Sequence, residues 1–124
     1  MPHDPEAVVL ELFDAVDGLD FPHALATLTD DVQSANEMSR SWLRGKAAKA
    51  ASYEQIDGTM SGGHSEVSDL HTETWGDTAL VTCWLEQDYT HDGTTHHVSA
   101  PSSFLLRRDG DSWKIVLIHS IPVQ

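Results

Sequence analysis

Basic residues are scarce in this sequence: seven Lys and Arg stand against 20 Asp and Glu, which gives a formal net charge of −13 over 124 residues. A protein that binds nucleic acid needs clustered Lys and Arg to displace counterions from the phosphates, and docking on anionic lipid needs similar clusters. We therefore expect neither nucleic acid nor a membrane as a partner. The acidic residues are scattered along the chain, which is typical of a solvated surface.

The sequence also has a single cysteine and no long apolar run. Cys83 is the single cysteine, so no internal disulfide can form. No apolar stretch approaches the roughly 18 to 20 residues that cross a bilayer, and residues 1–5 lack the basic and apolar regions of a signal peptide. Apolar residues still make up 40% of the chain, which is enough for a packed core. We expect a soluble, cytoplasmic protein with one domain over residues 1–124.

The first half of the chain carries the pattern of three helices. Residues 4–18 begin with an aspartate that can cap a helix and a proline at its first position, and apolar side chains follow at helical spacing. Residues 20–31 predict a shorter helix that ends at a pair of aspartates. A brief strand is predicted at residues 32–36 and an irregular loop at 37–44. The alanine-rich residues 45–56 predict the third helix.

The second half has the composition of β-strands. Turn sequences separate four predicted long strands: Gly76-Asp77, His91-Asp92-Gly93 and Asp109-Gly110-Asp111. The predicted strands cover residues 64–75, 78–90, 95–108 and 113–121. Helices followed by a meander of antiparallel strands indicate an α+β fold.

Four features of this arrangement resemble a known superfamily, and together they span nearly the whole chain. They are Thr29-Asp30-Asp31-Val32 after the second helix, Leu43-Arg44-Gly45-Lys46 before the third, the paired strands around Asp92-Gly93, and a final strand with Trp113, Ile115 and His119-Ser120. They resemble the NTF2-like superfamily, above all its SnoaL-like and ketosteroid-isomerase-like branches. The resemblance implies a cone in which three N-terminal helices pack on a strongly curved antiparallel sheet around an apolar pocket. It also implies a homodimer through the outer face of the sheet.

The steroid isomerases of that superfamily need a carboxylate base, a tyrosine and a protonated aspartic acid. By spacing, the base position falls on Asn36, whose amide cannot accept a proton, and the neighbouring Glu37 would face the other way. The tyrosine position falls on Leu12 and the acid position on Ser102. All three residues differ, so we do not expect steroid-isomerase activity by that route.

The last strand contributes the main catalytic candidate. Because side chains alternate along a strand, Ile115, Leu117 and His119 should share the face that lines the pocket. There His119 is either a general acid/base or ligand donor, or a half-buried histidine bonded to a backbone carbonyl or a neighbouring hydroxyl.

Five further residues are predicted to contact a ligand. Asn36, Gln87 and Ser102 should supply polar groups to the same cavity as the histidine, although a buried amide can equally bond to its own protein. Trp42 either covers the pocket mouth or packs on the end of the third helix. Tyr53 is either a ligand contact or part of the core with its hydroxyl at the surface.

The remaining histidines do not have the spacing of a metal site. Zinc ligands usually come as His pairs on a helix, Cys pairs or an HExxH motif, none of which is present. Adjacent strand residues such as His96 and His97 face opposite ways. A site assembled across strands, for example from His97, His71 and Glu73, is the alternative, and we expect neither a metal nor a cofactor.

Three classes of function stay open. The first is an enzyme that acts on a lipophilic carbonyl compound by proton transfer, isomerisation or cyclisation, with His119 as its catalytic residue. The second is a binding module with the same pocket and no turnover. The third is a dimeric interaction domain, in which outer sheet positions that include Cys83 or Trp84 are buried between two copies. The fold alone does not decide among them.

Overall fold

The computed structural model describes residues 4–36 and 39–123, so the predicted loop residue Glu37 lies outside the described residues. Within these two ranges the structure has three helices and six strands, in the order α1 (Pro5–Asp17), α2 (Phe21–Ala26), β1 (Leu28–Ala35), β2 (Leu43–Arg44), α3 (Lys46–Ile56), β3 (Met60–Trp75), β4 (Thr78–His91), β5 (Thr94–Asp109) and β6 (Ser112–Ser120). None of the helices in these ranges has the length and apolar composition that a membrane crossing requires.

The first two helices begin where their capping residues predict. The carboxylate of Asp4 accepts a hydrogen bond from the backbone N–H of Ala7 at 2.9 Å. The carboxylate of Asp20 accepts one from the backbone N–H of His23 at 3.3 Å. Such caps satisfy donors that the first helical turn leaves free, so they depend only on local sequence. The predicted start of both helices is confirmed.

The strands of the described residues form one sheet in the order β2-β1-β6-β5-β4-β3. The hairpins from β3 to β6 are antiparallel, as predicted, and Asp92 and Gly93 make the β4–β5 turn with φ angles of 51° and 79°. β1, however, runs parallel to β6. The sheet is therefore a strongly curled, mixed half-barrel, and the prediction of a wholly antiparallel sheet is corrected. The chain between β1 and β6 is long enough for the crossover that parallel strands need.

β1 begins earlier than predicted. α2 ends at Ala26, and the carbonyl of Thr27 then accepts a hydrogen bond from the N–H of Ile115 at 2.8 Å. This pairing with β6 draws Asp30 and Asp31 into the strand, where both remain exposed. The prediction that the two aspartates end the second helix is wrong, because a distant strand supplies the hydrogen bonds.

A bulge in β6 reverses the alternation of its side chains. The pairing with β5 skips Val116. Ile115 is buried before the skipped residue and Ile118 after it, whereas Leu117 and His119 are only half-buried. The prediction that Ile115, Leu117 and His119 share a face is therefore wrong, because one extra residue exchanges the two faces of a strand.

The core lies between the helices and the inner face of the sheet. Phe104 is fully buried there, and its ring meets that of Phe13 edge to face with the centroids 5.6 Å apart. Cys83 also belongs to this inner core, where burial raises the pKa of its thiol to about 11. The next residue, Trp84, therefore faces outward. Of the two outer-face candidates, the alternation of β4 places only Trp84 outside.

Candidate functional site

A cavity of about 120 Å³ lies between α1, α3 and the inner face of the sheet. Most of its wall is apolar, with contributions from Leu12, Val16, Ile56, Leu85, Val98 and Phe104. An apolar cavity of about 150 Å³ takes one benzene molecule. The space therefore suits a single ring or a short branched chain.

A carboxylate is held on the wall of this cavity at the end of α1. Asp17 accepts hydrogen bonds from the backbone N–H of Ser65 at 2.9 Å and from its hydroxyl at 2.7 Å. The amide of Gln87 donates to the same hydroxyl at 3.1 Å. A Cβ added at Gly63 would lie 3.3 Å from the Cα of Asp17, so the glycine permits this close approach. Asp17 and Gln87 both line the cavity in fixed positions.

Two residues one turn apart on α3 face the same cavity. Lys49 is only 6% exposed, and its Nζ lies 5.1 Å from the centre of the Tyr53 ring. Phe21 stacks on that ring with the centroids 4.7 Å apart. Burial lowers the pKa of Lys49 to about 8 and raises the pKa of Tyr53 above its ordinary value. The structure thus places Tyr53 on the cavity wall, while Lys49 is a cavity residue that the sequence analysis missed.

Asn36 lines the cavity where the chain leaves β1. Its side-chain oxygen accepts a hydrogen bond from the N–H of Ser39 at 2.9 Å, and its own N–H donates to the Ser39 hydroxyl at 3.1 Å. An asparagine that bonds to backbone a few residues on is a common turn former. The residue therefore shapes the loop as well as the cavity wall.

Ser102 does not line the cavity itself but contacts a residue that does. It is 2% exposed, and its hydroxyl is 2.8 Å from that of Ser120, which does line the cavity. Two hydroxyls that satisfy each other need no ligand to complete their hydrogen bonds. Ser120 lies on the inner face beyond the bulge of β6. It occupies the position on the cavity wall that was predicted for His119.

His119 and Trp42 are not among the residues that line the cavity. Their rings stack on each other with centroids 5.7 Å apart, and Trp42 is 44% exposed. The bulge at Val116 turns His119 to the outer face, where Trp42 covers it. The four polar residues predicted to share one cavity therefore do not converge: Asn36 and Gln87 reach it, and the other two do not.

The outer-face histidines pair with carboxylates. His97 lies 2.6 Å from Asp88 and 2.8 Å from Glu86, and the hydrogen bond with Asp88 is the main cause that raises the pKa of His97. His71 lies 3.0 Å from Glu73. Within residues 4–36 and 39–123, no group of three or more His, Cys, Asp or Glu side chains has an arrangement that could hold a metal ion.

Residues 6–124 match the family model of the SnoaL-like domain. No curated protein matches the sequence. Among solved structures, a proposed aromatic ring hydroxylase from Novosphingobium aromaticivorans is similar with a TM-score of 0.88 and 19% identity, over 96% of this chain and 86% of that one.

Two further solved structures share the fold. A proposed dehydratase of the NTF2-like family from Streptomyces avermitilis has a TM-score of 0.83 and 21% identity, over 94% of this chain and 92% of that one. A ketosteroid isomerase-like protein from Erwinia carotovora atroseptica has a TM-score of 0.80 and 24% identity, over 96% of this chain and 93% of that one. The NTF2-like, ketosteroid-isomerase-like fold is confirmed. The names of these three proteins refer to different reactions, and a shared fold does not fix the reaction.

Proposed function

The chain belongs to the SnoaL-like domain family, and on that premise we propose that its cavity binds a small, mainly apolar molecule. The cavity itself is the observation that carries this proposal. Its apolar wall and its few polar groups, held in place by their own hydrogen bonds, are the usual composition of a small-molecule site. Asp17, Gln87, Asn36 and Tyr53 are the polar residues that we propose contact the ligand.

A substitution that fills the cavity tests this function. Ser52 is half-buried on α3 and lines the cavity, so Ser52→Leu adds bulk to the binding space without removing a core side chain. We expect binding of the neutral probe 4-methylbenzamide, measured by NMR titration, to weaken about tenfold or more, since overpacking costs roughly 1–3 kcal/mol.

The neighbouring Ala51 supplies a matched control for that experiment. It lies on the same helix but is exposed, so Ala51→Leu adds a similar side chain on the solvent side. The control should bind the probe as the unchanged protein does. Equal affinities for all three proteins would contradict the proposed site.

Proton transfer on a carbonyl compound is a second candidate function, and Asp17 is the observation that favours it. The base position mapped from the steroid isomerases holds Asn36, but α1 supplies a carboxylate to the cavity wall from a different place. A carboxylate in this position can take a proton from the carbon next to a carbonyl group, which leaves an enolate, and can return it to another carbon. Exchange of the α-hydrogens of a small ketone for deuterium measures this reaction directly.

We also propose that two copies pair through the outer face of the sheet. Half-buried or exposed apolar residues face each other across neighbouring strands there: Trp84 opposite Pro101, and Leu105 opposite Leu117. A two-fold interface uses the same patch on both copies, and a stable one buries about 1,200–2,000 Å² in total.

Light scattering tests the proposed dimer. At micromolar concentration we expect twice the 13.6 kDa of one chain. Leu105→Glu should yield the monomer mass, because the two-fold symmetry would place two new carboxylates in the apolar centre of the interface. Leu10→Glu is the control, since Leu10 is exposed on α1 away from the sheet face, and it should leave the dimer intact. A monomer mass for the unchanged protein would contradict the proposal.

A further inference from the structure

Building on the proposed binding function, we infer that the ligand of the cavity is an anion and that its acidic group pairs with the ammonium group of Lys49. The expected ligand therefore has one apolar ring or a short branched chain and one acidic oxygen group. A carboxylate and the enolate of a carbonyl compound both meet this description.

The burial of Lys49 is the first reason. Lysine is almost never fully buried unless it is paired, because an ammonium group loses its hydration when it leaves water. Lys49 is 6% exposed, yet it forms no hydrogen bond and no ion pair with any residue in the described ranges. Lys46, on the same helix, is more exposed and still lies 3.7 Å from the carboxylate of Asp30.

The surroundings of Lys49 hold its amine at the cavity without an ion pair. The carboxylates of Asp17 and Asp88 line the same cavity, but burial is the one cause that shifts the pKa of Lys49, so neither carboxylate acts as its partner. The Tyr53 ring attracts the ammonium group over its face, at 5.1 Å from the ring centre. Burial raises the pKa of the Tyr53 hydroxyl, so the phenol stays neutral and supplies no opposite charge. An anion in the cavity would supply it.

The protonation state of Lys49 fits this role near neutral pH. Burial lowers its pKa to about 8, so most molecules carry the ammonium form at pH 7. A bound anion favours the charged form and raises the pKa again. Binding above pH 8 should therefore take up a proton, whereas binding of a neutral ligand should not.

A pair of probes with the same shape and different charge tests the inference. 4-Methylbenzoate and 4-methylbenzamide differ only in the group that would face Lys49. We expect NMR titration at pH 7 to give at least tenfold tighter binding for the benzoate. Lys49→Met should remove this preference, so that the variant binds the benzoate no more tightly than the benzamide, because methionine has a similar length and no charge. Lys46→Met is the matched control on the same helix and should keep the preference.

A second measurement needs no variant. At pH 8.5, the enthalpy of benzoate binding should depend on the ionisation enthalpy of the buffer, which reports proton uptake, and that of benzamide should not. Equal affinities of the unchanged protein for the two probes, or a preference that survives in Lys49→Met, would overturn the role of Lys49 but leave the binding function intact. Binding of neither probe would contradict the binding function itself.

Discussion

Replacing Lys49 by methionine should raise the free energy of unfolding at pH 7 by an amount on the order of 2–3 kcal/mol. Burial lowers the pKa of this lysine from the ordinary 10.5 to about 8, which means that the folded protein holds the proton less well than the unfolded chain does. Each pKa unit corresponds to about 1.4 kcal/mol. Methionine removes this cost and fills a similar volume, although the contact of the ammonium group with the Tyr53 ring is lost.

The effect should depend on pH in a defined direction. Between about pH 8 and 10.5 the unfolded chain binds more protons at this site than the folded protein, so the contribution of Lys49 to stability becomes less unfavourable as pH rises. The advantage of the methionine variant is thus fully present below pH 8 and disappears above 10.5. Cys83 and Tyr53 act in the opposite sense at high pH, because burial raises their pKa values. Both remain in the variant, and their effects cancel when the two proteins are compared.

Urea unfolding of both proteins from pH 7 to pH 10 measures this difference. Lys46→Met provides the control and should change stability by no more than about 0.5 kcal/mol, as surface substitutions usually do. A methionine variant that is less stable than the unchanged protein at pH 7 would show that the ammonium group of Lys49 is stabilised in the folded state. The account of its burial would then be wrong.

The parts of the fold that depend on local sequence were predictable. Aspartate caps at Asp4 and Asp20 fixed the helix starts, and the Asp92-Gly93 turn fixed the central hairpin, because each acts within a few residues. The parallel pairing of β1 with β6 was not predictable from local pattern. Its hydrogen bonds join two strands that lie far apart in the sequence, and neither strand has a local pattern that indicates its partner.

The site was harder to predict than the fold, for two physical reasons. The bulge at Val116 lies in an uninterrupted apolar run with no glycine or proline to mark it, yet it moves His119 to the outer face. The burial of Lys49 depends on where α3 packs, and the alanines of that helix leave its buried face undefined. Lys49 and Tyr53 are nevertheless spaced to share one helix face, which was the available signal.

Asp17→Asn should reduce any exchange of ketone α-hydrogens in this cavity on the order of a hundredfold or more. The asparagine keeps the size of the side chain and one oxygen to accept the N–H of Ser65, which now donates to Asp17 at 2.9 Å. It cannot accept a proton at neutral pH. A suitable substrate is 2-indanone, because its α-hydrogens are acidified by both the carbonyl group and the ring, and it has the same number of non-hydrogen atoms as the probe 4-methylbenzamide.

Deuterium incorporation from D₂O into 2-indanone, followed by NMR, gives the rate above the protein-free background. Asp14→Asn is the matched control, since Asp14 is exposed on the same helix, and its rate should equal that of the unchanged protein. Lys49→Met should also be slower, because an ammonium group in the same cavity stabilises the negative charge that develops on the enolate oxygen.

If the unchanged protein binds 2-indanone but exchanges its hydrogens no faster than the background, the binding module is the function and the cavity performs no proton transfer. If exchange occurs and survives in Asp17→Asn, the base is another group, and the carboxylate serves only to join α1 to β3 through Ser65.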